Sequence, residues 1–238
     1  RGASRHGSCG CGIFETRHRF QCTDWALRYG QLAEISEADY IRYCRRMIEE
    51  YVPHRLESLN MSADEAWIPV LRDEGIIRRS WEDLVDMRGR VQRFHSWTEA
   101  AAPFDRLIFE AGQGLALDEE NLQDFPHLTP SRTTSLVSAR RIAALDGPTD
   151  TQVLYVTRSY LTRHGAGPFP TECAMETIRP GMVDRTNMPN PHQQTLRYGR
   201  FDAQRVLERV SRDRNATRAV VRDASFAVMI THMNETDG

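Results

Sequence analysis

Lysine is absent from this chain: the 31 basic residues other than histidine are all arginine, spread over 238 positions. The bias is what a GC-rich genome produces, and it removes every lysine-based phosphate cradle of the G-K-[ST] kind. Long hydrophobic runs are missing too. No apolar stretch approaches the 18 or so residues that a membrane-spanning helix needs, and no secretory leader is visible, so the expectation is a soluble, cytoplasmic protein without a membrane partner. Neither sign of charge dominates: 31 basic against 33 acidic residues leave a net charge of -2, too little to argue for nucleic acid as a partner. Cys9, Cys11, Cys22, Cys44 and Cys173 are too few and odd in number for a disulfide framework, and they read as reduced thiols. Internal repeats and low-complexity tracts are absent. The chain opens at Arg1 without a methionine and stops at Gly238 just after a core-like run, so both ends read as cut.

What is present is ordinary globular material, 40% hydrophobic and 27% charged, enough to bury a sizeable core. Arg1 to Arg19 is Gly- and Cys-rich and reads as a loop running into a helix or bend. Ser36 and Asp39 form an [ST]-x-x-[DE] box, and Ile41, Cys44, Ile48 and Tyr51 share one helical face up to Pro53. Ser62 with Glu65, and Ser80 with Asp83, open two more expected helices, the second turning Trp81, Leu84, Val85, Val91 and Phe94 inward. Residues 36–100 are therefore expected to be a helical subregion. Further on, 106–109 is a short apolar run, 133–145 looks helical up to Gly147-Pro148, 153–156 is β-branched and apolar, 202–211 is an amphipathic helix, and 226–230 is a third apolar run. Short apolar runs alternating with helices predict an α/β fold, with a mostly parallel central sheet flanked by helices and a helical layer near the N-terminal part. The whole, 1–238, is expected to be a single α/β domain.

The stretch Val153 to Glu172, V-L-Y-V-T-R-S-Y-L-T-R-H-G-A-G-P-F-P-T-E, carries the most chemistry. An apolar strand gives way to Arg158, Arg163 and His164 and then to Gly165-Ala166-Gly167. A strand ending in a cationic, glycine-rich loop presents backbone N–H groups and positive charge to an anion; an ordinary turn after a buried strand is the plain alternative. Phe109-Glu110-Ala111-Gly112-Gln113-Gly114, followed by Leu117-Asp118, sets an amide between glycines. That suits close approach to a flat ligand whose edge both donates and accepts, or simply a surface Gln at a turn.

The string T-R-S-Y-L-T-R-H-G-A-G-P-F-P-T-E closely resembles the signature loop of the adenylosuccinate synthetase family, and F-E-A-G-Q-G resembles that family's F-E-G-A-Q-G. The resemblance implies a purine nucleotide–aspartate ligase. It gives Gln113 the purine base, and gives Arg163 and the loop Gly165, Ala166 and Gly167 to L-aspartate. Leu128-Thr129-Pro130-Ser131-Arg132-Thr133-Thr134 resembles V-T-S-S-N-T-T, in which a threonine hydroxyl bonds the 5′-phosphate; that role falls on Thr129, where a helix cap is the bland reading. Gly7-Ser8-Cys9-Gly10-Cys11-Gly12-Ile13 is similar to G-T-T-G-R-G-I, so Ser8 and Cys9 join the nucleotide-binding set, although Cys offers only a weak donor. Arg19, or Arg17, takes the place of an arginine that reaches a neighbouring subunit's phosphate, which implies a homodimer.

In the aspartate region, M-P-N-P-H-Q-Q-T-L-R-Y-G-R-F-D lines up with G-A-T-T-G-R-R-R-R-T-G-W-L-D, leaving Arg197 of a four-arginine run. Arg163 or Arg200 is expected to help it, with Gln194 nearby. I-T-H-M-N-E-T-D-G resembles L-T-K-L-D-V-L-D-G, placing His232 and Asn234 where the family reads guanine. An amide that donates and accepts suits adenine's edge, so ATP is expected where GTP is usual. Mg²⁺ is the implied cofactor. A phage branch of the family joins aspartate to dGMP with ATP, and the sequence leaves IMP and (d)GMP both open. The family's G-D-E-G-K-G-K-type catalytic segment is not in these lysine-free residues, so no catalytic acid or base is assigned, and a relative that only binds nucleotide stays open. His6, Cys9, Cys11, His18 and Cys22 form the rival reading, a zinc site, with spacing unlike the usual C-x2-4-C pair.

Overall fold

A computed structural model of the chain describes residues 11–62, 67–147, 149–184 and 194–236. It divides into two compact units, Glu15–Phe94 and a second one containing His95 onward.

The first unit is helical. α1 (Ile13–Cys22) and the single turn α2 (Tyr29–Leu32) precede α3 (Glu37–Arg46). Ser36 caps α3 as its box predicts, its hydroxyl accepting the Asp39 N–H and so satisfying an orphan donor of the first turn. The expected stop at Pro53 is not a stop. The turn Met47–Tyr51 opens to π-type hydrogen bonding, and α4 (Val52–Ser58) continues past the proline; Pro53 supplies no N–H, and the widened turn just before it is where the ladder adjusts. After α5 (Trp67–Leu71) comes α6 (Glu74–Arg90). The helix expected from Ser80 begins earlier, at Asp73, whose carboxylate accepts the N–H groups of Gly75 and Ile76. Ser80 lies inside it and donates to the Ile77 carbonyl. Glu65, the partner expected for Ser62, lies outside the described residues.

Along α6 the inward stripe is Ile77, Trp81, Leu84 and Arg88, a spacing of four, three and four that keeps one helical face. Val85, Val91 and Phe94, expected inside, are exposed. Helices α3 and α6 meet where the Tyr40 ring lies 5.5 Å from that of Trp81. There the Tyr40 hydroxyl donates to Ser80, and Arg88 stacks over Trp81 and donates to the Ile35 carbonyl.

The second unit carries the strands. After α7 (Trp97–Ala101) and α8 (Ser135–Ile142), β1 (Gln152–Arg158) pairs in parallel with β5 (Ser225–Thr231), in register from Gln152 opposite Ser225 to Arg158 opposite Thr231. A second sheet has β4 (Arg197–Gly199) between β2 (Leu161–Arg163) and β3 (Glu172–Cys173), antiparallel to both. Helix α9 (Met175–Ile178) leads away from β3, and α10 (Ala203–Arg218) supplies the crossover before β5. The α/β prediction holds, with its parallel ladder built from the expected runs at 153–156 and 226–230. The run at 106–109 is not a strand: it pairs with no other strand among the described residues, and Ile108 is 87% exposed. α10 outruns its expected end at Ser211. α8 is shorter than expected, and turns fill the distance to Gly147.

This unit's interior is unusually polar. Besides Ala101, Ala139, Tyr160, Met182, Tyr198 and Ala224, it buries Asp118, Thr133, Thr151, Asp213 and Thr217. Each such group must find hydrogen-bonding partners or destabilise the fold. Those partners set the geometry of the loops.

Candidate functional site

Gly114 to Ser135 is a length of loop organised around one carboxylate. Asp118 is 3% exposed. Its Oδ2 accepts the Thr133 N–H at 2.7 Å, its Oδ1 accepts the Glu120 N–H at 3.0 Å, and the Arg132 guanidinium lies 3.2 Å from Oδ1. Burial pushes its pKa up, but the N–H bonds from Thr133 and Glu120, aided by Arg132, outweigh that and hold it below the ordinary aspartate value. Thr133 donates its hydroxyl to the Gly114 carbonyl, and the Thr129 N–H donates to the Leu117 carbonyl at 2.9 Å. Gln113, exposed on the glycine-bracketed turn, is thereby tied to the Thr129 segment. The Thr129 hydroxyl lies 3.4 Å from that of Ser131.

The 163–167 loop is joined to the same segment from the other side. Arg163 donates from Nη2 to the His127 carbonyl at 2.8 Å and grips the Ala166 carbonyl with Nε and Nη2. Its pKa is lowered, first by burial and then by the like charges of Arg197 and Arg209. Gly165 and Gly167 both take positive φ, 70° and 112°, conformations that favour glycine. A Cβ on Gly167 would sit 2.5 Å from both the Arg163 guanidinium and the His127 side chain.

Arg163 and Arg197 face one another across the β2–β4 ladder, where like charges repel. The repulsion is offset by acceptors. Arg197 donates to Glu172 through Nε at 2.8 Å and again through Nη2, and its Nη1 bonds the carbonyls of Gly165 and Gly167 at 3.0 Å each. The Glu172 pKa falls because of that hydrogen bond. Arg200 points an exposed side chain outward while its N–H binds the Thr171 carbonyl, and Gln194 is exposed at positive φ.

His232 and Asn234 follow β5. His232 adopts a left-handed conformation, its carbonyl accepts from the Ser159 hydroxyl, and its ring meets that of Tyr160 edge-on at 5.9 Å. Tyr160, 2% exposed, donates to Glu235 at 2.8 Å and accepts from Arg158. Burial first, then the Glu235 contact, pushes its pKa up to about 12. Arg179 anchors the Asn234 carbonyl, leaving the Asn234 side chain on an exposed turn.

Hydrogen bonds and chain neighbours thus connect Thr129, Arg163, Gly165, Ala166, Gly167 and Arg197 into one continuous assembly, with Gln113 exposed at its edge beside the bonded Gly114 and the His232–Asn234 turn in the same unit. Arg19 belongs to the helical unit, half-buried on α1. Ser8 and Cys9, with His6 of the zinc reading, lie outside the described residues. Among the described residues no group of three or more His, Cys, Asp or Glu side chains converges on a point. No helix among those residues is long and apolar enough to cross a membrane. The organising role of Asp118 was not legible in the sequence. Its one signal is the L-A-L-D string standing a short loop before two threonines.

The strand-bearing unit is thus an α/β unit whose loops between Gly114 and Ser135 are pinned by the buried carboxylates of Asp118 and Asp213. Comparison with known proteins narrows the class. The family model for adenylosuccinate synthetase matches residues 2–221. An adenylosuccinate synthetase of Marinobacter nauticus is 26% identical over 210 residues, 85% of this chain and 44% of the relative. That of Thermomicrobium roseum is 30% identical over 188 residues, 73% of this chain and 39% of the relative. A third, from Acidithiobacillus ferrooxidans, is 41% identical over 95 residues. The chain belongs to the adenylosuccinate synthetase family. It spans less than half the length of these relatives.

Proposed function

We propose that this domain serves a purine nucleotide–aspartate ligase, joining L-aspartate to a 6-oxopurine monophosphate such as IMP with hydrolysis of a nucleoside triphosphate. What carries the reading is the hydrogen-bonded continuity of the Gln113, Thr129 and 163–167 loops, which supports one ligand spanning base, phosphate and amino-acid contacts. Gln113 holds the purine edge, Thr129 with Ser8 and Cys9 takes the 5′-phosphate, and Arg19 serves the phosphate bound by a neighbouring subunit. The 163–167 loop receives aspartate with Arg197, Arg163 and Gln194. Family membership supports the reaction type, a C–N bond formation.

In the reaction, the triphosphate phosphorylates O6 of the purine, turning a poor leaving group into a good one. The aspartate amine then attacks C6 and phosphate departs. Charge develops on O6 and on the moving phosphoryl group, so positioned donors contribute most of the catalysis. Mg²⁺ is proposed to arrive with the triphosphate, whose phosphate oxygens supply ligands for it, and would neutralise charge on them when bound. Cytoplasmic location and a homodimer, with Arg19 crossing to its neighbour, complete the proposal.

Asn234 favours a second reading of the donor and substrate. Its exposed amide donates and accepts, suiting adenine, and that favours ATP as donor and (d)GMP as an alternative acceptor. The test is a panel pairing IMP, GMP or dGMP with ATP or GTP plus aspartate, followed by phosphate release. Release that requires all three components is expected. Release without aspartate, or none with any pair, removes the ligase reading; GTP far better than ATP removes the Asn234 reading.

A further inference from the structure

The Thr129–Thr134 segment runs directly into α8, and the first residue of α8 is held by a residue from far along the chain. Asp213, on α10, is 4% exposed. Its Oδ2 accepts the Ser135 N–H at 3.2 Å, the Ser135 hydroxyl at 2.6 Å and the Tyr155 hydroxyl at 2.8 Å. The Ser135 hydroxyl also lies 2.7 Å from that of Thr217, one turn further along α10 and fully buried. One carboxylate therefore joins three elements, the start of α8, the middle of β1 and the middle of α10. A negative charge at the N-terminus of α8 is also favoured by the helix dipole. Its other oxygen, Oδ1, is buried without a hydrogen-bond partner among the described residues. That is an unusual cost in a folded protein, which apolar packing alone would not require.

Asp118 holds the same segment from its other side through Thr133. The loop carrying Thr129 is thus fixed between two buried carboxylates, Asp118 bonding Thr133 and Asp213 bonding Ser135. We propose that Asp213 is a positioning residue for the mononucleotide phosphate, acting through Ser135 to set the Thr129 segment at the angle at which its hydroxyl meets the ligand. This rests on the reading of Thr129 given above. Asp213 touches no ligand itself. Its effect reaches the phosphate only through the loop, so it must be conditional on Thr129.

That conditionality is the test. The purified protein, Asp213→Asn, Thr129→Ala and the double variant are titrated with IMP and with GMP by calorimetry. Asp213→Asn is expected to weaken the better-bound nucleotide about tenfold, the equivalent of one hydrogen bond. In the Thr129→Ala background the same change is expected to have almost no further effect. Independent, additive losses would show a merely structural carboxylate and overturn the proposal, as would unchanged affinity in Asp213→Asn. Ser135→Ala, which keeps the N–H contact and removes only the hydroxyl, repeats the cycle with a milder change if Asp213→Asn fails to fold. If the unsubstituted protein binds neither nucleotide, the reading of Thr129 falls and this proposal with it. If it binds and the cycle is additive, this proposal alone falls.

Discussion

Replacing Asp118 by asparagine tests the organisation of the whole assembly. The two carboxylate oxygens each receive a backbone N–H, from Thr133 at 2.7 Å and from Glu120 at 3.0 Å. An amide has one oxygen, so one of those donors must face an NH₂ group. A buried donor left without an acceptor costs about 1–3 kcal/mol, and losing a charged acceptor adds to that. Arg132 adds less, because its side chain is about a quarter exposed and solvent screens the pair. The sum is roughly 2–4 kcal/mol. Urea unfolding reads it as a lower midpoint at unchanged slope. Binding of the mononucleotide should weaken in parallel, since Thr133, whose hydroxyl holds the Gly114 carbonyl, loses its support.

The pH dependence supplies an independent check. The folded pKa of Asp118 lies below its ordinary value of 3.8. Its contribution is therefore complete above that value and is lost as pH falls through the lower folded one. The stability gap between the protein and Asp118→Asn should be flat from neutral pH down to about 4 and close below it. A gap smaller than about 0.5 kcal/mol, the range of ordinary surface substitutions, or one that persists unchanged in acid, would refute the reasoning.

Gly167→Ala forces a Cβ to 2.5 Å from His127 and Arg163 at a φ of 112°; strain alone costs about 1–3 kcal/mol, so a melting temperature equal to that of the parent protein would contradict the loop geometry. Glu172→Gln removes the carboxylate that holds Arg197. Tighter aspartate binding is expected if that guanidinium receives the substrate, and weaker binding would show that the pair instead braces the loop. Tyr160→Phe should destabilise the protein at neutral pH. Because the tyrosine pKa is raised from 10.0 to about 12, the difference should shrink as pH rises from the lower value through the higher one; thermal melts across that range would expose a difference that does not shrink.

The parallel ladder was legible because β-branched runs such as Val153–Val156 encode extended backbone locally. The run at 106–109, Arg-Leu-Ile-Phe, is also apolar and short but has no ladder among the described residues, since a strand also needs a partner at hydrogen-bonding distance, and nothing local specifies one. The length of α10 was hidden for a different reason. Its inward face runs Val206, Val210, Asp213, Thr217, so the stripe continues through polar residues and seems to end at Ser211. Asp213 and Thr217 remain on the buried side because Ser135 and Tyr155 bond them there. Periodicity of apolar residues cannot register a buried face that is satisfied by hydrogen bonds.

The arginines mark the same boundary within the site. The family resemblance assigned Arg163 and Arg197 to one place, and the β2–β4 register sets them opposite each other. What the resemblance could not convey is how their donors are already engaged. Arg197 bonds Glu172 and the carbonyls of Gly165 and Gly167, while Arg163 bonds His127 and Ala166. On the proposed aspartate reading, an incoming dicarboxylate exchanges one carboxylate for another at Arg197, with Glu172 the group to be displaced. Such an exchange conserves charge-assisted bonds and spares the guanidinium from ever being buried without a partner. On that reading, in a chain with no lysine, the same arginines both shape the glycine loop and neutralise what binds to it, and Glu172 reconciles the two demands by holding Arg197 in place until the substrate carboxylate replaces it.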